Sequence, residues 1–174
     1  MTAKIFRKPS SVKLPMQKQE LRRDEYGKAK KGIAICKVCH NVNFKKKWHH
    51  PDCSSFKNVN LKGKGVRLVV CPADKMIAEG LYEGEIRLVN VPKKYESELL
   101  NLVAGYGARA RKRDPQDRII EIKKAKNGFV VTTTENQLAI KLAKKIKGVF
   151  NKVDIVISHS HEPYEVERMR VTFL

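Results

Sequence analysis

Long apolar runs are missing from this 174-residue chain. Its longest fall far short of the roughly 20 residues a membrane-spanning helix needs, which excludes a helical transmembrane protein. The opening stretch, MTAKIFRKPSSVKLPMQKQE, has no apolar core of the kind that marks a secretory signal. It does not read as an organelle transit peptide either, because Glu20, Asp24 and Glu25 follow. A cytoplasmic location is the expectation. There the four cysteines stay reduced and suit a metal better than disulfides.

Enzyme signatures are also missing. There is no carboxylate cluster for two metals, no phosphate-cradling glycine loop and no nucleophile–base pair. The chain reads as non-enzymatic, with no small-molecule substrate. It shows no internal repeat, no helix-turn-helix and no dimerisation heptad. Acidic residues are scarce: 18 Asp and Glu stand against 37 Lys and Arg, a formal charge of +19. Such a charge points to a polyanion, with nucleic acid ahead of an anionic membrane surface. No amphipathic apolar face accompanies the charge, so a membrane partner is set aside.

The charge is uneven. Residues 1–32 hold ten basic and three acidic residues, and residues 33–74 hold eight and two, so the first 74 carry +13 of the +19. Residues 1–32 have sparse apolar positions, broken by Pro9, Pro15 and Gly27. Such a segment cannot offset its ordering entropy and reads as a disordered basic arm.

Residues 33–91 read as a zinc-ribbon-like module. Ile33–Ile35 and Val66–Val70 are short strands, each leading into a cysteine. Residues 92–116 combine an amphipathic helix with a connector. Tyr95, Leu99, Leu102 and Val103 give the helical period, Gly105 suits its end, and GYGARARKRDP follows. Residues 117–174 read as a small α+β domain. A hairpin turns at Lys126-Asn127-Gly128, and Thr134 and Gln137 form a capping box. Leu138, Leu142, Ile146 and Val149 then line a helix, and two strands, Val153–Ser158 and Glu165–Phe173, close the chain. The class is α+β, a small antiparallel sheet with helices on one face.

Cys36-x-x-Cys39 is half of a zinc site. Three completions are open. Cys71-Pro72-Ala73-Asp74 copies a second knuckle with Asp in the last place. Cys53 with Cys71 gives four thiolates. His50-x-x-Cys53 gives a Cys3His set. Cys36 and Cys39 belong to every version, and Cys71 is the best third ligand. Alternatively no metal binds, and the cysteines are small buried hydrophobes. The zinc role is structural, with one ion. His159-Ser160-His161-Glu162 reads as a polar turn between strands rather than a second metal site.

The knuckle, Glu85–Val89, Leu99–Leu102, Arg118–Glu121, Val130–Glu135 and Leu138–Ile146 together resemble a known family. It is the archaeal and eukaryotic large-ribosomal-subunit export adaptors, the "nonsense-mediated decay three" proteins. The closer likeness is to short, uncharacterised bacterial zinc-ribbon relatives, with a CxxC and a CPxC knuckle before the same helix and strand–strand–helix core. The likeness covers roughly residues 33–150. It implies a zinc ribbon and α+β domains that bind ribosomal RNA on the large subunit during assembly. By position Cys36, Cys39 and Cys71 match ligands, and Asp74 replaces the expected cysteine. The family's further cysteine pairs and leucine-rich export tail are missing, so nuclear export is not implied.

The candidate RNA contacts are basic. Lys45, Lys46 and Lys47 adjoin the only tryptophan, Trp48, which could stack a base or cover the ribbon core. Arg109, Arg111, Lys112 and Arg113 carry forked or flexible donors suited to phosphate, and Arg22 and Arg23 lie on the arm. Lys141, Lys144 and Lys145 read as a solvated helix face. The expected function is a ribosome-associated, ribosomal-RNA-binding assembly factor. The alternative is a zinc-ribbon DNA-binding transcriptional regulator.

Overall fold

The computed structural model describes residues 32–54, 61, 63, 65–160 and 165–174. The basic arm, with Arg22 and Arg23, lies outside them. Among the described residues the architecture is mixed α+β, with two sheets and three helices. No helix among them is long and apolar enough to cross a membrane.

The first sheet contains β1 (Ile33–Cys36), β2 (Val42–Phe44), β3 (Lys47–His49) and β4 (Val66–Val69), in the order β3-β2-β1-β4. β1 pairs antiparallel with β2 and parallel with β4, Ile33 facing Val66 and Cys36 facing Val69. Parallel strands leave a sheet at the same end. The chain after Cys36 and the chain after Val69 therefore emerge side by side.

The segment from Cys71 is not a second knuckle. It is the start of α1 (Pro72–Glu79), with Cys71 as N-cap. Proline suits the first helical turn, where its missing N–H is no loss, and the Cys71 Sγ accepts from the Asp74 N–H at 3.4 Å. Gly80, at φ 66°, ends the helix in the left-handed conformation.

The second sheet has the order β6-β7-β5-β9-β8. Its members are β5 (Gly84–Val89), β6 (Ile119–Ala125), β7 (Gly128–Thr133), β8 (Val153–Ser160) and β9 (Val166–Phe173). α2 (Lys93–Arg113) and α3 (Asn136–Val149) each precede a hairpin. The layer is thus two helix–hairpin units arranged about β5. Three departures from the sequence expectation follow. β5, grouped above with residues 33–91, is the central strand of this sheet. The sheet is not purely antiparallel, because the β8–β9 hairpin returns β9 along β5 in parallel register. The last strands also run two residues longer and start one later than expected.

Residues 105–113 are helix, not a connector. Gly105 does not end α2; Val103, Gly107 and Ala110 continue the buried face past it. Gly107 is there for closeness: a Cβ on it would sit 2.5 Å from the Ile119 Cδ1 of β6. Ala, Arg and Lys are strong helix formers, and cations at a helix C-terminus favour its dipole.

The capping box is also replaced. Glu135 is the N-cap of α3 and makes no side-chain cap bond. The Thr134 hydroxyl instead accepts from the Arg118 N–H at 2.9 Å and donates to the Gln116 carbonyl at 2.6 Å. It ties the entry of β6 to the exit of β7. Leu99 and Val103 of α2, Leu142 and Ile146 of α3, and Ile86 and Val131 of the sheet form one buried core. Each such side chain stabilises the fold by about 1.5–3 kcal/mol.

Candidate metal centre

Four side chains converge where β1 and β4 end. The ligand atoms of Cys36, Cys39, Cys71 and Asp74 all lie within 4.8 Å of one another. Cys39 Sγ is 3.7 Å from Cys71 Sγ, and the Sγ atoms of Cys36 and Cys71 are each 3.1 Å from Asp74 Oδ2. A tetrahedral ion with metal–sulfur bonds of ~2.3 Å and a metal–oxygen bond of ~2.0 Å separates two sulfurs by ~3.8 Å, and sulfur from oxygen by ~3.5 Å. The Cys39–Cys71 pair matches the first distance, and the Cys36–Asp74 and Cys71–Asp74 pairs need only a few tenths of an ångström for the second. The set could hold one metal ion.

The turn after Cys36 provides donors for the sulfurs. Val38 N–H reaches Cys36 Sγ at 3.4 Å, and Cys71 N–H reaches the same sulfur at 3.3 Å. The Asn41 side-chain amide reaches Cys39 Sγ at 3.1 Å. His40 bends this turn with φ 61°. N–H donors stabilise thiolate, the form that binds metal.

Asp74 serves two neighbours. While Oδ2 faces the sulfurs, Oδ1 accepts from Arg118 Nη1 at 2.5 Å, and both side chains are buried. Arg118 also donates from Nε to the Pro115 carbonyl at 2.9 Å. A cysteine at position 74 would match the charge of the ligand but offer no second oxygen to the guanidinium. Burial alone would push the Asp74 carboxyl up. Hydrogen bonds from the three thiols, with Arg118 beside them, outweigh it and hold the group well below the usual carboxylate range. Burial pushes the Cys39 and Cys71 thiols up, with the hydrogen bond to Asp74 adding to it. A divalent ion with three thiolates and a carboxylate leaves a net charge of about −2, which Arg118 halves.

The other sequence candidates lie elsewhere. Cys53 is not in the cluster; its Sγ is 3.8 Å from His49 Nδ1. His50 is not a ligand, because its Nε2 donates to the Arg111 carbonyl at 2.6 Å. Both follow β3, the strand farthest from β4 in the sheet. His159 is a strand residue that pairs with Glu167 across β8–β9 at 2.6 Å, while His161 and Glu162 lie outside the described residues. Trp48 is half-buried against the cysteine cluster and covers it.

The basic residues are distributed over two elements that meet. Lys45 and Lys46 form the tip of the β2–β3 hairpin, and Lys45, Lys46 and Lys47 are exposed. Arg109, Arg111, Lys112 and Arg113 are exposed on the last turns of α2. The His50–Arg111 bond joins the foot of the hairpin to that helix end, capping one of its orphan carbonyls. Lys47 is three residues from His50, within about 11 Å along the chain. Lys141, Lys144 and Lys145 are exposed along α3.

Sequence reasoning missed Arg118. A lone arginine at a strand entry carries no local signal that its partner lies 44 residues upstream. No protein-family model matches the chain, and no curated protein is significantly similar to it.

Proposed function

We propose that this chain is a non-enzymatic RNA-binding protein that acts on the ribosome, as a large-subunit assembly or ribosome-associated factor, and a short zinc-ribbon relative of the export adaptor family. The observation that carries the reading is the His50–Arg111 hydrogen bond, which joins the chain just after the exposed Lys45–Lys47 hairpin to the exposed basic end of α2. Seven cations on two rigid elements suit the phosphates of a folded RNA. The arm, with Arg22 and Arg23, adds reach.

Zinc is the ion we assign to Cys36, Cys39, Cys71 and Asp74, because thiolate-rich tetrahedral sets select it. Its role is to hold the hairpin sheet against α1 and, through Asp74 and Arg118, against the five-stranded layer.

Sedimentation of cell extract at low and high salt tests the function. Comigration with large subunits or their precursors at low salt, released at high salt, is the expected result. Binding to purified ribosomal RNA should weaken steeply with salt. A flat salt response, or sedimentation only as free protein at low salt, overturns the proposal. Equal competition by duplex DNA would favour a transcriptional regulator instead.

A further inference from the structure

Among the described residues, the five-stranded sheet has one face without a helix. α2 and α3 both join the core on the face that presents Ile86, Leu88, Phe129, Val131, Met169 and Val171. Alternation along the strands places Glu85, Arg87, Arg168 and Arg170 on the opposite face. The register aligns them. Arg87 lies directly opposite Arg170 on β9, and Glu85 lies opposite Arg168. Lys123, opposite Val130, extends the row toward β6.

Two like charges directly opposite one another destabilise a sheet, so this pairing is not explained by the fold. Glu85 organises part of the cluster. Its carboxylate, nearly buried, accepts from Arg87 Nε at 2.6 Å and from the Tyr82 hydroxyl at 3.0 Å, with Arg168 Nε 3.8 Å away. Arg87 is therefore anchored at Nε, and Arg168 lies within ion-pair range of the same carboxylate. Arg170 makes no ion pair among the described residues and is exposed. Together Arg87, Arg168 and Arg170, with Ser158, line a shallow cleft of about 230 Å³.

We propose that this open face is a second RNA-contacting surface, on which Arg87, Arg168 and Arg170 hold backbone phosphates of double-helical RNA. It rests on the RNA-binding reading above and adds a site that the hairpin and helix end do not include. Forked, pre-oriented guanidinium groups suit phosphate oxygens. The five strands contribute two aromatics, Phe129 and Phe173, and both are buried on the covered face. The strands place no ring on this face to stack a base, and the Tyr82 hydroxyl is held by Glu85, so the face suits phosphates, which fits a helical ridge over splayed single strands.

The test is the full chain carrying Arg170→Glu, binding a short fluorescein-labelled RNA duplex. Affinity should fall about tenfold near 0.1 M salt, and the slope of log K against log salt should shrink by about 1. The thermal midpoint should not fall, because a carboxylate beside Arg87 removes a like-charge contact. Arg170→Gln should give a smaller change in the same direction. Lys147→Glu, the same charge change on α3, should leave binding near wild type. If Arg170→Glu binds like wild type, or Lys147→Glu weakens binding equally, this face is not a site, while the ribosomal reading stands. If wild type binds ribosomal RNA but no duplex, the face is likewise excluded. If wild type binds no RNA, both proposals fail.

Discussion

Arg118 Nη1 and Asp74 Oδ1 lie 2.5 Å apart with both side chains buried, where the entry to β6 meets the first turn of α1. Asp74 is at once a candidate metal ligand and the acceptor for a cation from the other sheet. The candidate metal site and the seam between the two sheets are therefore one hydrogen-bonded unit.

Breaking that pair from the arginine side should be costly. Arg118→Ala leaves a buried carboxylate without its cation, and about 3–5 kcal/mol of stability should be lost. Urea denaturation measures this. A loss below about 1 kcal/mol would show that water replaces the guanidinium at no penalty.

Substitutions at position 74 should separate ligation from the seam. Asp74→Cys should still bind one ion per chain while losing stability, because Arg118 has no acceptor. Asp74→Ala should lose both, with metal affinity falling about tenfold or more. Metal analysis beside denaturation reads the two effects. Full metal occupancy and unchanged affinity in Asp74→Ala would remove Asp74 from the ligand set.

Metal binding should be steeply pH-dependent. Burial raises the Cys39 and Cys71 thiols, so in the metal-free protein both are neutral at pH 7 and must release protons to bind. The logarithm of the affinity should rise by about 3 per pH unit, one for each of the three cysteine thiols that becomes a thiolate ligand. Asp74 behaves in the opposite sense. Its folded value is depressed, so its contribution is complete above the ordinary carboxylate range and is lost only as pH falls well below it. Acid titration should therefore release the ion first and break the Asp74–Arg118 pair later. Chelation at pH 7 should raise hydrogen exchange in β1 and β4 while the core around Leu99, Val131 and Ile146 stays protected. Metal retention down to pH 4 would contradict this order.

The hairpin tip stores strain beside the proposed RNA contacts. Lys45 and Lys46 have φ 51° and 67°, a left-handed pair that favours Asn and Gly. Lys45→Asn with Lys46→Gly should raise stability by about 1–2 kcal/mol. The same change should lower the salt slope of RNA binding by about 2. An unchanged slope would place the tip outside the interface.

Much of the candidate site was legible because it is local. The CxxC spacing and the position of Cys71 and Asp74 directly after an apolar strand marked the four donors. What was not legible depended on distance. The three competing ligand sets differed in whether His50 or Cys53 folded back onto Cys36 and in whether Cys71 belonged, and no spacing rule decides that. Gly105 looked like a helix end because glycine favours ends in general, and Gly107 fell in the expected connector. At Gly107 the reason was Ile119, which lacks room for a Cβ nearby. Thr134 had the residue type for a cap but a better partner in the Arg118 backbone.

By itself, the sequence determined the charge and its concentration toward the N-terminal half, the cysteine knuckle, and the helix and hairpin periods of residues 117–174. These follow from residue type and near-neighbour spacing, which act before any tertiary contact forms. Tertiary structure alone decided that β1 and β4 run parallel, that β5 joins the other sheet, and that Asp74 meets Arg118. It also set Arg87 against Arg170 and joined the lysine hairpin to the arginine helix end. Each of these is a pairing across many residues, chosen by which faces must leave water together.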